Sequence, residues 1–310
     1  MSTRAINYLR LSVTDQCNYR CRYCMPEDAA ARPARREILS LEDLEEIARA
    51  SVACGISKIR LTGGEPLIRP GIVPLCRALR NIPGLTELAM TTNASLLPSL
   101  AQPLREAGLD RLNISLDTLQ AKKFTEMTRR GQLQQVQAGL HAAWEAGFSN
   151  IKINVVLIRG WNDDEIEDFV ALTQHTPYSV RFIELMPLGP SATWQGYCSA
   201  ELVLQRVPEL RYVAMDGVAQ LYKIPGYCGT VGLIRPISQT FCSACNRIRV
   251  TADGTLKPCL HAEYEIPLRG LHGAALQQAI EEGIRAKPER HHLIWRHASE
   301  TTRQMNEIGG

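Results

Sequence analysis

Apolar residues recur along the first 190 positions in two alternating rhythms. Short aliphatic and β-branched segments with period-two alternation lie at Tyr8–Val13, Lys58–Leu61, Glu87–Thr91, Arg111–Leu116, Ile151–Ile158 and Ser179–Leu185, and they predict strands. Helical stripes fill the gaps. Leu41, Leu44, Ile47 and Ala48 share one face of a helix that Ser40 can cap and Gly55 can end. Leu133, Val136, Leu140 and Ala143 form another, stopped by Gly147. Asn162 is placed to cap a third, with Asp163, Asp164 and Glu165 at its positive end.

Six βα units in about 190 residues predict a parallel sheet with right-handed crossovers. A closed eight-stranded barrel needs two more units. After Met186-Pro187 the rhythm gives way to hairpin-like sequence, Arg211–Ile234 and then Arg247–Lys257 around Asp253-Gly254. The expected fold is α/β: an incomplete six-stranded (β/α)6 barrel over 1–190, closed by a small β-containing C-terminal module over 191–310. An open flavodoxin-like sheet is the alternative at this level. Ala29–Arg36 is the one loop of biased composition.

Composition narrows the function classes. With 45% hydrophobic and 22% charged residues, disorder, collagen and coiled coil are excluded. Lys+Arg 35 minus Asp+Glu 32 gives +3, too mild to indicate a nucleic-acid partner. No apolar run approaches a membrane span. Met1 to Arg10 lacks the apolar core of a signal peptide, so a cytoplasmic chain with reduced thiols is expected. Its ten cysteines then ask for metal rather than disulfides. Cys54, Cys76, Cys198 and Cys228 are scattered and read as small buried hydrophobes.

The other six are grouped. Cys17, Cys21 and Cys24 form a C-x3-C-x2-C loop directly after the first strand. Three thiolates there can bind three irons of one [4Fe–4S] cluster, leaving the fourth iron open. Zinc is the alternative, but no fourth ligand lies near the loop. Followed by Gly63-Gly64-Glu65-Pro66 after the second strand, the loop resembles the radical S-adenosylmethionine (SAM) superfamily. There the open iron chelates SAM, whose reductive cleavage yields a 5′-deoxyadenosyl radical. The resemblance implies that the Gly-Gly-Glu-Pro loop receives the SAM amino group, with Gly64 allowing close approach and Glu65 accepting hydrogen bonds.

Cys242, Cys245 and Cys259 make a second set. Taken alone it suits a zinc knuckle completed by His261. Between its members, however, Arg247-Ile248-Arg249 begins a strand on which both guanidiniums share a face. Paired guanidiniums suit a polyphosphate, although two solvated arginines on an edge strand would read the same way.

The chain also carries Leu9–Asp15, Arg60-Leu61-Thr62, Thr91-Thr92-Asn93, Asn113–Asp117, Lys152-Ile153-Asn154, Glu184–Pro187 and a terminal Ile308-Gly309-Gly310. In this order the motifs resemble the GTP 3′,8-cyclase family, the first enzymes of molybdenum-cofactor biosynthesis. The resemblance implies a radical-SAM barrel, two [4Fe–4S] clusters, SAM as cofactor and GTP as substrate. The second cluster, on Cys242, Cys245 and Cys259, would contact the guanine. The radical would remove H3′ of GTP, C3′ would bond to C8, and reduction with proton uptake would give 3′,8-cyclo-7,8-dihydro-GTP.

Residue by residue, the resemblance assigns Arg10, Arg60, Thr91, Lys152 and Arg247 to Arg249, Ile248 included, to GTP. Tyr23, Gly64, Glu65, Ser115 and Met186 go to SAM. Arg10, Arg247, Arg249 and the Gly309-Gly310 tail are assigned to catalysis, the tail carboxylate pairing with Arg10. A reductant protein, a downstream cyclic pyranopterin monophosphate synthase and a homodimer are the partners it implies, with no nucleic acid or membrane. Another radical-SAM enzyme with an auxiliary cluster, such as a peptide maturase, and a zinc-knuckle nucleic-acid-binding protein are the competing readings.

Overall fold

The structure, a computed structural model, describes residues 4–27, 38–291, 293 and 299–309; the Ala29–Arg36 loop and Gly310 lie outside them. The alternating segments form β1 (Tyr8–Ser12), α1 (Leu41–Ala53), β2 (Lys58–Thr62), α2 (Ile72–Arg80), β3 (Glu87–Thr92), α3 (Leu97–Glu106) and β4 (Arg111–Ser115). Next come α4 (Ala121–Thr128), α5 (Leu133–Glu145), β5 (Lys152–Leu157), α6 (Ile166–Ala171) and β6 (Ser179–Glu184). Beyond them lie α7 (Glu201–Arg206), β7 (Arg211–Asp216), β8 (Ala219–Lys223), β9 (Thr230–Ile234), β10 (Arg247–Val250), β11 (Thr255–Lys257), β12 (Ile266–Pro267), α8 (Gly273–Arg285) and α9 (Met305–Ile308).

β1 to β6 pair in chain order, each parallel to the next. That order excludes the flavodoxin-like alternative, whose strand order reverses at a switch point. The C-terminal strands do not form a sheet of their own. β10 adds parallel to β1 at one edge, and β9 adds parallel to β6 at the other. The result is one sheet of order β12-β11-β10-β1-β2-β3-β4-β5-β6-β9-β8-β7.

Period two divides the strands cleanly. Leu9, Leu11, Ile59, Leu61, Leu88, Ile114, Ile153, Val155, Val180 and Phe182 are fully buried under the helices. The alternate positions are polar: Tyr8, Arg10, Ser12, Arg60, Thr62, Thr91, Asn113, Ser115, Lys152, Asn154 and Arg181. Parallel strands covered on both faces ordinarily read as continuous apolar runs. Here one face is reserved for something polar, and residues of every strand from β10 through β9 line a single cavity of about 290 Å³, so the sheet curls around it.

Local signals hold in most places. Ser40 and Asp43 form a reciprocal capping box on α1, and Gly55 and Gly147 follow α1 and α5 with positive φ. Asn162 departs from expectation. It makes no side-chain cap; its amide donates to the carbonyls of Asp117 and Val156 and accepts from Ile158 N–H. Its Oδ1 is turned to the Ile158 N–H after β5 and its Nδ2 to Asp117 and Val156, away from the helix that follows. Cys76 and Cys198 are buried as expected, but Cys54 is half-buried and Cys228 exposed. No helix among the described residues is long and apolar enough to cross a membrane.

Candidate active site

The segment after β1 is fixed to its neighbours by backbone hydrogen bonds. Val13 N–H donates to Thr62, Gly64 N–H to Thr14 and Glu65 N–H to Gln16, all at 2.8–3.0 Å. Arg20 and Arg22 donate to Thr128 and Met127 at the end of α4. Cys17, Cys21 and Cys24 therefore lie on a loop clamped between the β2 turn and α4, and all three line the cavity. Burial pushes Cys17 up to about 11 and Cys24 up to about 12, and Cys21 well above the usual thiol value, with neighbouring thiolates adding to the last two. Such thiols stay protonated until a metal supplies compensating charge.

Gly64 explains its own identity. A Cβ there would overlap the Gln16 carbonyl, so only glycine lets the turn pack under the cysteine loop. Gly64→Ala is expected to displace that loop and to halve bound iron, from about eight to about four per chain. Iron and sulfide analysis checks it; full loading would refute the packing argument.

Glu65 is engaged within the protein. Its carboxylate accepts from Leu67 N–H (3.0 Å), Thr92 Oγ1 (2.6 Å) and Asn93 N–H (2.7 Å), while burial lifts it to about 7 against those bonds. It braces the ends of β2 and β3 as well as lining the cavity. Tyr23 donates to Asp117 (2.9 Å), whose other oxygen holds Val156 N–H (2.8 Å). Ser115 and Met186 line the same cavity.

Cys242, Cys245 and Cys259 open onto it as well, Cys242 and Cys245 from the turn before β10 and Cys259 from the segment after β11. Burial alone raises Cys245, but Lys287 and Arg247 outweigh it and bring the thiol below its usual value. His261 is buried, hydrogen-bonded to Ser299 (3.0 Å) and packed 4.8 Å from the His291 ring. Burial, with His291 and Arg249 nearby, drives it down to about 3. Among the described residues no three His, Cys, Asp or Glu side chains converge on one metal ion. Each cysteine set does bring three thiols to the wall of one cavity, the donor type and number that a [4Fe–4S] cluster with one open iron takes.

Cations fill the adjoining wall. Arg249, Arg10 and Arg60 are register neighbours on β10, β1 and β2. β10 is thus an inner strand, which removes the reading of solvated arginines on an edge. Burial and the neighbouring arginines hold Arg10 well below its usual value and bring Arg249 down to about 10. Arg60 donates through Nε to Tyr8 and through Nη1 to Thr91 (3.5 Å), and Arg60 and Arg247 both stack on the Tyr8 ring. Arg10 Nε, Arg247 Nε and Arg181 Nε have no partner among the described residues, nor does the acceptor Asn154 Oδ1. Orphaned buried donors beside packed like charges call for an anionic ligand.

Comparisons with known proteins bear on this geometry. The radical SAM superfamily model matches residues 11–173 and the Molybdenum Cofactor Synthesis C model matches 178–293. The GTP 3′,8-cyclase of Alkaliphilus metalliredigens is 46% identical over 99% of this chain and 98% of its own length. That of Peptoclostridium acidaminophilum is 48% identical over 99% and 96%. The chain belongs to the GTP 3′,8-cyclase family. Among solved structures, Streptococcus suis SuiB bound to S-adenosylmethionine superposes with a TM-score of 0.60 at 15% identity, over 91% of this chain and 66% of that one, which shows the shared radical-SAM α/β fold.

Several expected positions sit differently from their assignment. The Ile248 side chain is fully buried in the apolar core; period two turns it away from the arginines on either side, so only its backbone can face substrate. Lys152 is buried and ion-paired with Asp216 (2.6 Å), which also binds Arg181. Burial and Arg181 bring Lys152 down to about 8. Burial works to raise Asp216, yet the two cations hold it well below the carboxylate range. In the tail, the Gly309 carbonyl accepts from Arg249 Nη1 (2.7 Å), while the carboxylate expected to pair with Arg10 belongs to Gly310, outside the described residues.

Sequence reading misses three residues: Tyr8, which contacts Arg60, Asn154, which lines the cavity, and Arg181, which shares Asp216 with Lys152. The first shares period-two parity with Arg10 and the second with Lys152, and both of those stand out in the sequence. Parity with Ile183 and the polar face of β5 is the signal that places Arg181. Asp216 and Lys287 carry no such signal.

Proposed function

We infer that this chain cyclises GTP to (8S)-3′,8-cyclo-7,8-dihydroguanosine 5′-triphosphate, the opening step of molybdenum-cofactor biosynthesis. The observation that carries the reading is one cavity lined by two three-cysteine loops and by Arg10, Arg247 and Arg249, with Arg60 beside Arg10 in register. When bound, the clusters and SAM supply an electron and a 5′-deoxyadenosyl radical able to take a hydrogen atom from the ribose.

The chain's own residues hold the reactants. Cys17, Cys21 and Cys24 take the SAM-binding cluster, with Tyr23, Gly64, Ser115 and Met186 around SAM. Glu65 supports that site by fixing the turn. Cys242, Cys245 and Cys259 take the cluster that meets guanine. A triphosphate near −4 needs several cations, and each charged hydrogen bond contributes roughly 1.5–3 kcal/mol. Arg10, Arg60, Lys152, Arg247 and Arg249 supply them, Thr91 adds a hydroxyl, and Arg10, Arg247, Arg249 and the glycine tail orient the ribose. For Lys152 to reach phosphate, Asp216 on its exposed hairpin must yield its place.

β1 to β6 serve as a six-stranded partial barrel over 1–190, and residues 191–310 as the unit that contributes the second cluster and the tail. A reductant protein delivers electrons, the product passes to cyclic pyranopterin monophosphate synthase, and the enzyme works in the cytoplasm as a homodimer. A peptide maturase with an auxiliary cluster has no use for the arginine row, and the likeness to SuiB is one of fold.

Anaerobic incubation of the reconstituted protein with SAM, dithionite and GTP tests the reading. The expected result is GTP-dependent formation of 5′-deoxyadenosine with one new nucleotide isomeric with GTP. Unchanged GTP in the presence of active SAM cleavage would overturn it.

A further inference from the structure

The C-terminal cysteine set has a cation built against it. Lys287 follows α8, and its Nζ donates to the carbonyls of Arg247 (2.7 Å) and Pro258 (3.0 Å). It lines the cavity together with Cys242, Cys245 and Cys259, and its charge acts on the Cys245 thiol, favouring the thiolate. An ammonium has three N–H donors, and the two carbonyls use two of them, leaving one for the cavity it lines. Arg247 lies two residues after Cys245, and Pro258 immediately precedes Cys259. One amine therefore joins both chain segments that carry the cysteines, and its charge bears on one sulfur.

The N-terminal set sits in the opposite field. Glu65 and Asp117, both buried carboxyl groups, line the cavity beside Cys17, Cys21 and Cys24. A neutral donor, the Tyr19 N–H, bonds the Cys17 sulfur at 3.3 Å. The two ends of one cavity are thus electrostatically unlike.

We propose that Lys287 is a positioning residue of the C-terminal [4Fe–4S] site, tying together the two segments that carry its cysteines and raising that cluster's reduction potential through its charge. The inference rests on the reading of Cys242, Cys245 and Cys259 as cluster ligands. Three thiolates on a 2+ core carry a net −1, which one electron from the external reductant makes −2; no bond breaks and no proton moves. A fixed cation in a low-dielectric wall favours the more negative state. Hydrogen bonds to sulfur and local charge are the levers by which a protein sets cluster potential.

The test is an anaerobic redox titration, followed by EPR, of the two-cluster protein, its Lys287→Gln variant and its Lys287→Arg variant. Glutamine keeps a donor and removes the charge; arginine keeps the charge. Iron is counted first: about eight per chain with a GTP-perturbed signal supports the underlying reading, whereas about four without one overturns that reading instead. With both clusters present, Lys287→Gln is expected to lower the reduced-to-oxidised ratio of the GTP-perturbed cluster about tenfold at fixed applied potential, about 59 mV for one electron. The SAM-perturbed signal stays in place, and Lys287→Arg recovers most of the difference. An unchanged midpoint in Lys287→Gln, or equal shifts in both variants, overturns the proposal. If Lys287→Gln loses the cluster, Lys287→Arg decides: a midpoint near wild type supports the role of charge, and a drop of similar size contradicts it.

Discussion

Replacing Cys21 by alanine is expected to abolish reductive SAM cleavage, with 5′-deoxyadenosine formation falling at least about a hundredfold, the upper range for losing even an outer-shell partner of a metal. Two thiolates cannot hold a cluster that already lacks a fourth protein ligand. No spare cysteine is positioned to substitute: Cys54 lies against α8, where its thiol meets the Gln277 carbonyl, Cys76 and Cys198 are buried in the core, and Cys228 is exposed beside Gln174, away from the cavity. The backbone of the loop is held independently of the thiol, by Arg20 and Arg22 on α4 and by the β2 turn. The variant therefore folds, retains the C-terminal cluster and binds about four irons per chain. Undiminished 5′-deoxyadenosine from that protein would reject Cys21 as a ligand.

The second large effect lies at the opposite end of the chain. Deleting Gly309 and Gly310 is expected to leave both clusters and uncoupled SAM cleavage intact while reducing cyclised product about a hundredfold, the scale of loss from small misplacement at a reacting centre. The tail is strongly anchored up to that point. Arg303 binds Glu265 through two nitrogens (2.7 and 2.8 Å) and Asp253 through a third (2.9 Å). Asn306 donates to the Asp15 carbonyl (2.9 Å), and Ile308 is fully buried. Gly309 then turns with φ of +79° into the space beside β1 and β2, where a Cβ would stand 2.5 Å from Thr62 Oγ1 and 3.0 Å from Ser12 Cβ. Its carbonyl is the acceptor for Arg249, so deletion frees a guanidinium of the arginine row without touching a cysteine. Product yield equal to wild type, measured per 5′-deoxyadenosine, would show the tail to be irrelevant to the chemistry.

Much of this arrangement is legible in the residue pattern, and the parts that are not have a common cause. Period two on Tyr8–Ser12 and Arg247–Val250 is enough to separate Leu9, Leu11 and Ile248 from the arginines. It also shows that Ile248 cannot present its side chain with Arg247 and Arg249. Periodicity says nothing about which strand lies beside which. That β10 joins β1 and β9 joins β6, making a single sheet from segments more than 200 and about 50 residues apart, is a property of non-local pairing. Asn162 and Glu65 are legible as residue types but not in their use, because a buried polar side chain takes whatever partners surround it. Asp216 reaches Lys152 only through the β7–β8 hairpin, and Lys287 meets Cys245 only because α8 returns the chain to the second cysteine set.

The central claim is that the two clusters and the arginine row act on one substrate, taking H3′ from its ribose. Mass analysis of 5′-deoxyadenosine formed from GTP carrying deuterium at C3′ tests this most directly. The account predicts one deuterium in the 5′-deoxyadenosine and its loss from the cyclised nucleotide. Unlabelled 5′-deoxyadenosine alongside a product that retains the deuterium would contradict it.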